Sequence, residues 1–202
     1  MQKAGVVTSA GHTNATYTDM KAALDNGCRL VTHLYSCTST VTRKQGFRSL
    51  GVIESTFLED GIVAEIIADG KHLPPELIRM IYKIKGADGI IAVTDSLSLA
   101  GTSVKSGRMS LTDFIIEDGV CKLLDRSAFA GSIATADVLV RVLTKEAGIP
   151  LCEAVKMVTE NPAKMMGLST KGMLSEGMDA DIVVFDEDIN VKAAFVKGQR
   201  RV

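Results

Sequence analysis

Apolar runs alternate with polar loops and helix-like segments through the first half of the chain. Runs rich in β-branched residues predict strands over residues 5–10, 28–32, 62–67 and 89–94. Helices are predicted over about 18–26, with Thr18 as N-cap and Gly27 as the stop, and over 52–58 and 74–85. Residues 36–49 are predicted as a long polar loop. Strands that alternate with helices at this spacing predict βα units and a parallel sheet.

The second half of the chain has a different pattern. Residues 113–123 predict a β-hairpin turning at Asp118 and Gly119, which makes about 113–124 an insertion between βα units. Helices are predicted over 134–147, over 151–160 and briefly after Pro162. From about Gly172 the pattern returns to strands. We therefore expect one α/β domain over 1–171 and part of a small β-domain over 172–202.

Composition and charge exclude several classes of protein. The 202 residues are 46% hydrophobic but only 4% aromatic, with no Trp, so the core must rest on aliphatic residues and Met. A net charge of −1 gives no reason to expect nucleic acid or an anionic membrane as partner. No apolar stretch reaches the ~18 residues that a membrane span needs. The four cysteines form no C-x-x-C pair, which makes a reducing cytoplasm the expected location.

All three histidines of the chain stand just beyond a predicted strand. His12, His33 and His72 follow the first three strands, and Asp95 follows the fourth. Active sites in parallel α/β sheets are built at this end of the strands. A lone histidine is more often structural, but imidazole and carboxylate groups converging from several strands suit Zn²⁺ or a similar divalent ion. The third ligand is open: His72, Asp95 or a residue outside this chain.

Five motifs occur in a fixed order around these residues. They read S-A-G-H-T-N-A from 9, T-H-L-Y from 32, I-A-D-G-K-H from 67, V-T-D-S from 93 and F-A-G-S from 129. This ordered set resembles the N-acetylglucosamine-6-phosphate deacetylases of the amidohydrolase superfamily. Residues 161–163 and 177–183 are similar to elements of the wider superfamily. The resemblance covers nearly the whole chain.

The resemblance implies a fold. The chain is expected to form part of a (β/α)8 TIM-type barrel, about strands 5–8 with their helices, followed by the C-terminal strands of a small β-sandwich domain. A glutamate metal ligand precedes the His12 position in the family, in a segment that this sequence does not contain. We therefore expect the chain to be the C-terminal half of such an enzyme, either as a cloned fragment or as a natural half-protein.

The resemblance also implies site residues. His12 and His33 match the metal ligands, and Asp95 matches the catalytic acid/base. The family's Asn-Ala pair after the second histidine is Ser36-Cys37 here. Arg48 is the expected phosphate contact, with Arg43 as the alternative. The expected substrate-binding residues are Ser36, Cys37, Arg48, Asp69, Gly70, Lys71, His72, Phe129, Ala130 and Gly131.

The implied reaction is hydrolysis of the acetamide of N-acetylglucosamine 6-phosphate to glucosamine 6-phosphate and acetate. The implied cofactor is a divalent metal, zinc in the first place, with iron, cobalt or manganese as alternatives. The implied partners are a phosphorylated amino sugar and a second copy in a homodimer. Two other hypotheses remain open: a related amidohydrolase acting on another amide or a cyclic ureide, and a truncated fragment without catalysis.

Overall fold

Four parallel strands form the centre of the molecule. The computed structural model describes residues 4–109 and 112–202 of the chain. These strands are β1 over Ser9–Ala10, β2 over Leu30–Val31, β5 over Val63–Ile67 and β6 over Ile90–Val93. They lie in the order β1-β2-β5-β6. The predicted parallel sheet is thereby confirmed. The first strand, β1, is shorter than its predicted apolar run, and Val6 and Val7 before it are exposed.

A helix follows each of the first three strands. These helices are α1 over Tyr17–Asp25, α2 over Val52–Leu58 and α3 over Pro75–Lys85. The prediction of Thr18 as the first N-cap was wrong. Thr16 occupies that position, because Asp19 three residues later accepts hydrogen bonds from the Thr16 N–H and hydroxyl, both at 2.8 Å. Thr18 therefore lies inside the first turn.

The helices cover one face of the parallel sheet. Ala64 and Ile66 of β5 are fully buried and pack in one core with Ile78 and Ile81 of α3. Since side chains alternate along a strand, Glu65 points to the opposite face. The face covered by the helices contains most of the buried apolar side chains. The opposite face can carry the polar side chains of a functional site.

The predicted loop over 36–49 contains a hairpin instead. Strands β3 over Thr42–Lys44 and β4 over Phe47–Ser49 pair antiparallel. Gln45 and Gly46 form the turn with φ of 51° and 88°, the backbone that two-residue hairpin turns require. Phe47 near the tip is 80% exposed. The interpretation as a plain loop was wrong because this segment lacks the apolar alternation of a half-buried strand.

The hairpin predicted around Asp118 and Gly119 is confirmed, within a larger sheet. Both turn residues have positive φ, 54° and 78°. The strands of this sheet are β7 over Ser106–Met109, β8 over Thr112–Glu117, β9 over Val120–Leu123 and β10 over Phe129–Gly131. The sheet is antiparallel, with the strand order β10-β9-β8-β7. The motif that begins at Phe129 is therefore presented by the edge of this sheet.

Three helices and a small sheet complete the chain. The helices are α4 over Ala136–Arg141, continued by a π-helical segment over Val142–Glu146, then α5 over Leu151–Val158 and α6 over Glu160–Met165. The sheet is antiparallel, with β11 over Ile182–Phe185, β12 over Val191–Val196 and β13 over Gln199–Arg200. The Arg141 guanidinium donates to the carbonyl oxygens of Asp188 and Ile189, both at 3.0 Å, which joins this sheet to α4.

The fold class is a mixed α/β structure, as expected. In the described part of the chain, no helix is long and apolar enough to cross a membrane.

Candidate active site

Two histidines meet at the carboxyl end of the parallel sheet. His12 follows β1 and His33 follows β2, and the register of these neighbouring strands pairs Ser9 with Leu30 and Ala10 with Val31. The two Nε2 atoms lie 2.9 Å apart, and the rings stand edge to face with centroids 4.6 Å apart. The structure therefore brings the two predicted metal ligands together. Their role as ligands remains a prediction.

The backbone at the predicted site residues is left-handed. His12, His33 and Asp95 have φ of 46°, 30° and 46°. Residues with a side chain rarely adopt positive φ, and such strain concentrates at functional sites. Each of the three residues follows the last residue of a strand by two positions. The left-handed turn redirects each side chain at the edge of the sheet, which the sequence pattern does not reveal.

Gly11 allows the two histidine-bearing segments to approach each other. A Cβ added at Gly11 would lie 2.8 Å from the Cβ of Thr32, closer than real Cβ atoms come. The Thr32 N–H donates to the carbonyl oxygen of Ala10 at 2.9 Å. The hydroxyls of Ser9 and Thr32 are also hydrogen-bonded, 2.5 Å apart. The small residue directly before His12 is thus required for close packing against the segment that leads to His33.

A cavity of about 350 Å³ opens beside His12. It is lined by His12, Thr13, Asn14, Cys37 and Thr38. Of the two residues that replace the family's Asn-Ala pair, Cys37 lines the cavity, and it is exposed. Ser36 instead donates its backbone N–H to the carbonyl oxygen of His33 at 2.9 Å. The substrate contact of the Ser36 side chain stays a prediction.

The donor set agrees in part with a metal centre. Two imidazole nitrogens converge, and imidazole is a common zinc ligand. The other ring nitrogen of His33, Nδ1, is buried and has no hydrogen-bond partner among the described residues. Within residues 4–109 and 112–202, no group of three or more His, Cys, Asp and Glu side chains is arranged to hold a metal ion. The described residues thus offer two ligands, one fewer than catalytic zinc sites usually have.

Glu65 is a site residue that the sequence reasoning missed. Its Oε1 accepts the backbone N–H of His33 at 3.2 Å. Burial raises the pKa of the Glu65 carboxyl above its ordinary value; the hydrogen bond from His33 opposes this increase, and the charge of Asp95 adds to it. The available signal was one carboxylate inside the apolar run 62–67. A charge at the centre of a buried strand requires a partner or a role.

Asp69 and His72 form a buried pair. Asp69 Oδ2 lies 2.7 Å from His72 Nδ1, while Asp69 Oδ1 accepts the backbone N–H groups of Lys71 and His72 at 2.9 and 2.8 Å. Burial acts to raise the pKa of Asp69, but these hydrogen bonds outweigh it and the pKa lies below its ordinary value. An ionised carboxylate only accepts, so Nδ1 of His72 carries a proton and Nε2 is left for a ligand.

Phe129 joins this pair from the antiparallel sheet. Its ring lies against the ring of His72, with centroids 5.1 Å apart and planes at 65°. Gly70 and Lys71 complete the loop, and Lys71 is exposed beside the turn at Gly119. The structure therefore groups His72 with Phe129, two of the predicted substrate-binding residues. Asp69 is 4% exposed, and both of its carboxylate oxygens accept hydrogen bonds from residues of the same loop. This geometry suits positioning of His72 better than direct contact with substrate.

Asp95 is exposed at the end of β6. The segment that follows it is tied to the F-A-G-S motif: Leu97 donates its N–H to the carbonyl oxygen of Ser132 at 2.9 Å, and the Ser96 hydroxyl donates to the carbonyl oxygen of Ala134. Gly131 leaves room for Leu97, since an added Cβ there would come within 2.8 Å of the Leu97 side chain. Ala130 and Gly131 thus lie on β10, directly before the residues that accept hydrogen bonds from the segment after Asp95.

The two arginines considered for phosphate binding face each other. Arg43 of β3 and Arg48 of β4 are Cα partners in the hairpin, and both are exposed. Like charges directly opposite on one face of a two-stranded ribbon repel each other. An anion bound between the two guanidinium groups would offset this repulsion. The geometry gives no preference for Arg48 over Arg43, so that choice stays open.

Comparisons with known proteins identify the family of the chain. The family model described as "Amidohydrolase family" matches residues 1–201. The N-acetylglucosamine-6-phosphate deacetylase of Lysinibacillus sphaericus is 36% identical to the chain, over 100% of the chain and 51% of that protein. The chain thus spans about half the length of the curated relatives that it matches.

Solved structures give the same result. The crystal structure of the N-acetylglucosamine-6-phosphate deacetylase from Pasteurella multocida superposes with a TM-score of 0.90 at 30% identity, covering 99% of this chain and 52% of that one. A mutant of the Mycobacterium smegmatis enzyme in complex with N-acetyl-D-glucosamine-6-phosphate superposes with a TM-score of 0.88 at 31% identity, covering 98% and 53%.

Proposed function

This chain belongs to the amidohydrolase family, and we propose that it forms part of a metal-dependent deacetylase that hydrolyses the acetamide of N-acetylglucosamine 6-phosphate. The products are glucosamine 6-phosphate and acetate. The observation that carries this proposal is the convergence of His12 and His33 Nε2 atoms at 2.9 Å, at the strand ends where such enzymes bind their ion. Relatives that are 36% and 30% identical to the chain are named as deacetylases of this substrate.

We propose further that the parallel sheet is the C-terminal half of a (β/α)8 barrel, over 1–171, and that residues 172–202 are strands of a small β-domain. The order β1-β2-β5-β6 with helices on one face supports this assignment. So does the position of Glu65 on the other face, which corresponds to a barrel interior. A homodimer, which follows from the resemblance alone, and a cytoplasmic location, which is expected from the cysteine pattern, complete the proposal.

In this proposal His12 and His33 hold a divalent ion, and the remaining ligand comes from outside the described residues. When bound, such an ion supplies activated water at neutral pH and polarises the amide carbonyl. Zinc suits two imidazole ligands, and iron, cobalt or manganese are alternatives. The chain's own residues then bind the sugar, orient the acetamide and move the protons.

Asp95 is the proposed proton carrier. Its carboxylate accepts a proton from the water as the water oxygen bonds to the carbonyl carbon. The same proton passes to the nitrogen as the carbon–nitrogen bond breaks, because an amine does not leave as an anion. His72 Nε2 accepts from a sugar hydroxyl when the ring is neutral and donates to the carbonyl oxygen when it is protonated.

The direct test is to combine the chain with the remaining half of the Lysinibacillus sphaericus enzyme and to measure acetate release. N-acetylglucosamine 6-phosphate should yield acetate, and the Asp95→Asn variant should retain its metal while losing turnover by orders of magnitude. Acetate from another acetamido compound alone, or ring opening of a cyclic ureide alone, would favour a related amidohydrolase. If the Asp95→Asn variant kept the same turnover, Asp95 would not be the proton carrier. No metal binding and no turnover in any combination would favour an inert fragment.

A further inference from the structure

We propose that Glu65 is a positioning residue that fixes the left-handed turn of His33 and thereby aims its imidazole at His12. The proposal deepens the metal-dependent function above and rests on it. Glu65 contacts the backbone of the segment that carries His33, not the imidazole of His33.

The placement of Glu65 follows from the strand that carries it. Ala64 and Ile66 face the helices and are fully buried, so Glu65 between them faces the open side of the sheet. Its neighbours in register are Ile91 on β6 and, beyond the end of β2, the segment that contains His33. Glu65 is partly buried there, which makes its contact with the His33 segment more important.

Glu65 binds the His33 turn at two points. Its side-chain Oε1 accepts the N–H of His33 at 3.2 Å, and its main-chain carbonyl oxygen accepts the N–H of Leu34 at 2.7 Å. Strand β2 ends at Val31, two residues earlier. The Thr32 N–H still pairs with the carbonyl oxygen of Ala10. Glu65 therefore accepts the next two N–H groups, that of His33 with its side chain and that of Leu34 with its main chain.

This contact falls on a strained residue. His33 has φ of 30° and is 7% exposed, so water cannot easily replace a lost acceptor for its N–H. Strained backbone persists where the surroundings determine it strongly. Without the Glu65 acceptor, the turn would relax toward an ordinary conformation. The imidazole of His33 would then move away from the Nε2 of His12.

The role requires a hydrogen-bond acceptor, not a charge. Glu65→Gln keeps an oxygen at the same distance from the backbone, whereas Glu65→Leu keeps the volume and removes the acceptor. Glu153→Leu is the matched control, because Glu153 is also a half-buried carboxylate that accepts one hydrogen bond, from the Tyr82 hydroxyl at 2.7 Å. Glu153 lies on α5 and accepts nothing from the His33 turn.

Two measurements test the proposal. The first is hydrogen exchange of the His33 amide, followed by NMR in the chain without metal. The second is affinity for Zn²⁺, measured by calorimetry on the chain combined with the remaining half of the Lysinibacillus sphaericus enzyme, with His33→Ala as baseline. We expect Glu65→Leu to speed exchange at His33 by about tenfold, the effect of one hydrogen bond, and to weaken zinc binding by a similar factor. Glu65→Gln and Glu153→Leu should stay close to the original chain in both measurements.

Several results would overturn the proposal. One is unchanged exchange at His33 in Glu65→Leu. Another is faster exchange there with unchanged zinc affinity. Equal losses in Glu65→Gln and Glu65→Leu would mean that the charge acts, not the hydrogen bond. If the original chain binds zinc no better than His33→Ala, the metal site of the proposed function fails. In that case the exchange measurement still decides whether Glu65 holds the turn.

Discussion

The buried carboxylate of Asp69 lies 2.7 Å from Nδ1 of His72, on the loop that follows β5. Its second oxygen accepts two backbone N–H groups of the same loop. One side chain thus orients the imidazole and closes the loop beneath it. Geometry of this kind fixes which ring nitrogen carries the proton and which one faces a ligand.

Replacing Asp69 by Asn should therefore destabilise the fold in a pH-dependent way. The pKa of Asp69 lies below its ordinary value of 3.8, so its contribution to stability is present above that value and is lost as the pH falls through the lower, folded-state pKa. At neutral pH we expect Asp69→Asn to lower the free energy of unfolding by about 1.5–3 kcal/mol, the range for hydrogen bonds to charged groups. Denaturant titrations at several pH values measure this difference.

The difference should shrink as the pH falls below 3.8, because the unfolded chain then takes up a proton on Asp69 before the folded chain does. Asp125→Asn is the control, since Asp125 accepts comparable hydrogen bonds from Ser127 but lies on an exposed turn. A pH-independent loss in Asp69→Asn, or an equal loss in the control, would show that the buried charge is not responsible.

Gly11 gives a second prediction, which concerns packing. Gly11→Ala would place a Cβ 2.8 Å from the Cβ of Thr32, and overpacking of this kind costs about 1–3 kcal/mol. Because the clash lies directly before His12, metal affinity should fall together with stability. At Gly61 an added Cβ meets the flexible end of Arg29 at 3.1 Å, so Gly61→Ala should cost much less. Thermal unfolding and zinc titration of both variants check this; equal effects would contradict it.

The hairpin arginines give a third prediction. Arg43 and Arg48 are direct cross-strand partners, and either can be the phosphate contact of the proposed deacetylase. Replacing the contacting arginine by Gln should weaken binding of N-acetylglucosamine 6-phosphate by at least about tenfold, the loss of a charge-assisted hydrogen bond; unchanged binding in both variants would contradict this. Calorimetry on the assembled enzyme measures this. Arg79→Gln, an exposed cation on α3, should leave binding unchanged. Loss in only one arginine variant would assign the contact to that residue alone.

The sequence predicted the features that depend on hydrophobic periodicity. The bounds of α2 agree with its apolar pattern, and β5 and β6 are short, largely buried runs. The histidines could be placed at the correct edge because each follows such a run. The side-chain convergence of His12 and His33 could not be predicted in detail, since it depends on left-handed backbone at both residues.

The features that were missed depend on tertiary contacts. Nothing in residues 42–49 alternates like a strand, because that hairpin is almost fully exposed. Glu65 was passed over because the run around it reads as uniformly apolar. Its importance appears only when His33 on the neighbouring strand is placed beside it.

The most direct test of the account is a zinc titration of the chain combined with the remaining half of the Lysinibacillus sphaericus enzyme, with each of the chain's three histidines replaced in turn. We expect His12→Ala and His33→Ala to lower the affinity by more than about 100-fold, since even outer-shell changes at metal sites cost about 10–100-fold. His72→Ala should bind zinc like the original chain, because His72 pairs with Asp69 on a separate loop. Full affinity in His12→Ala or His33→Ala, or an equal loss in His72→Ala, would contradict the central claim.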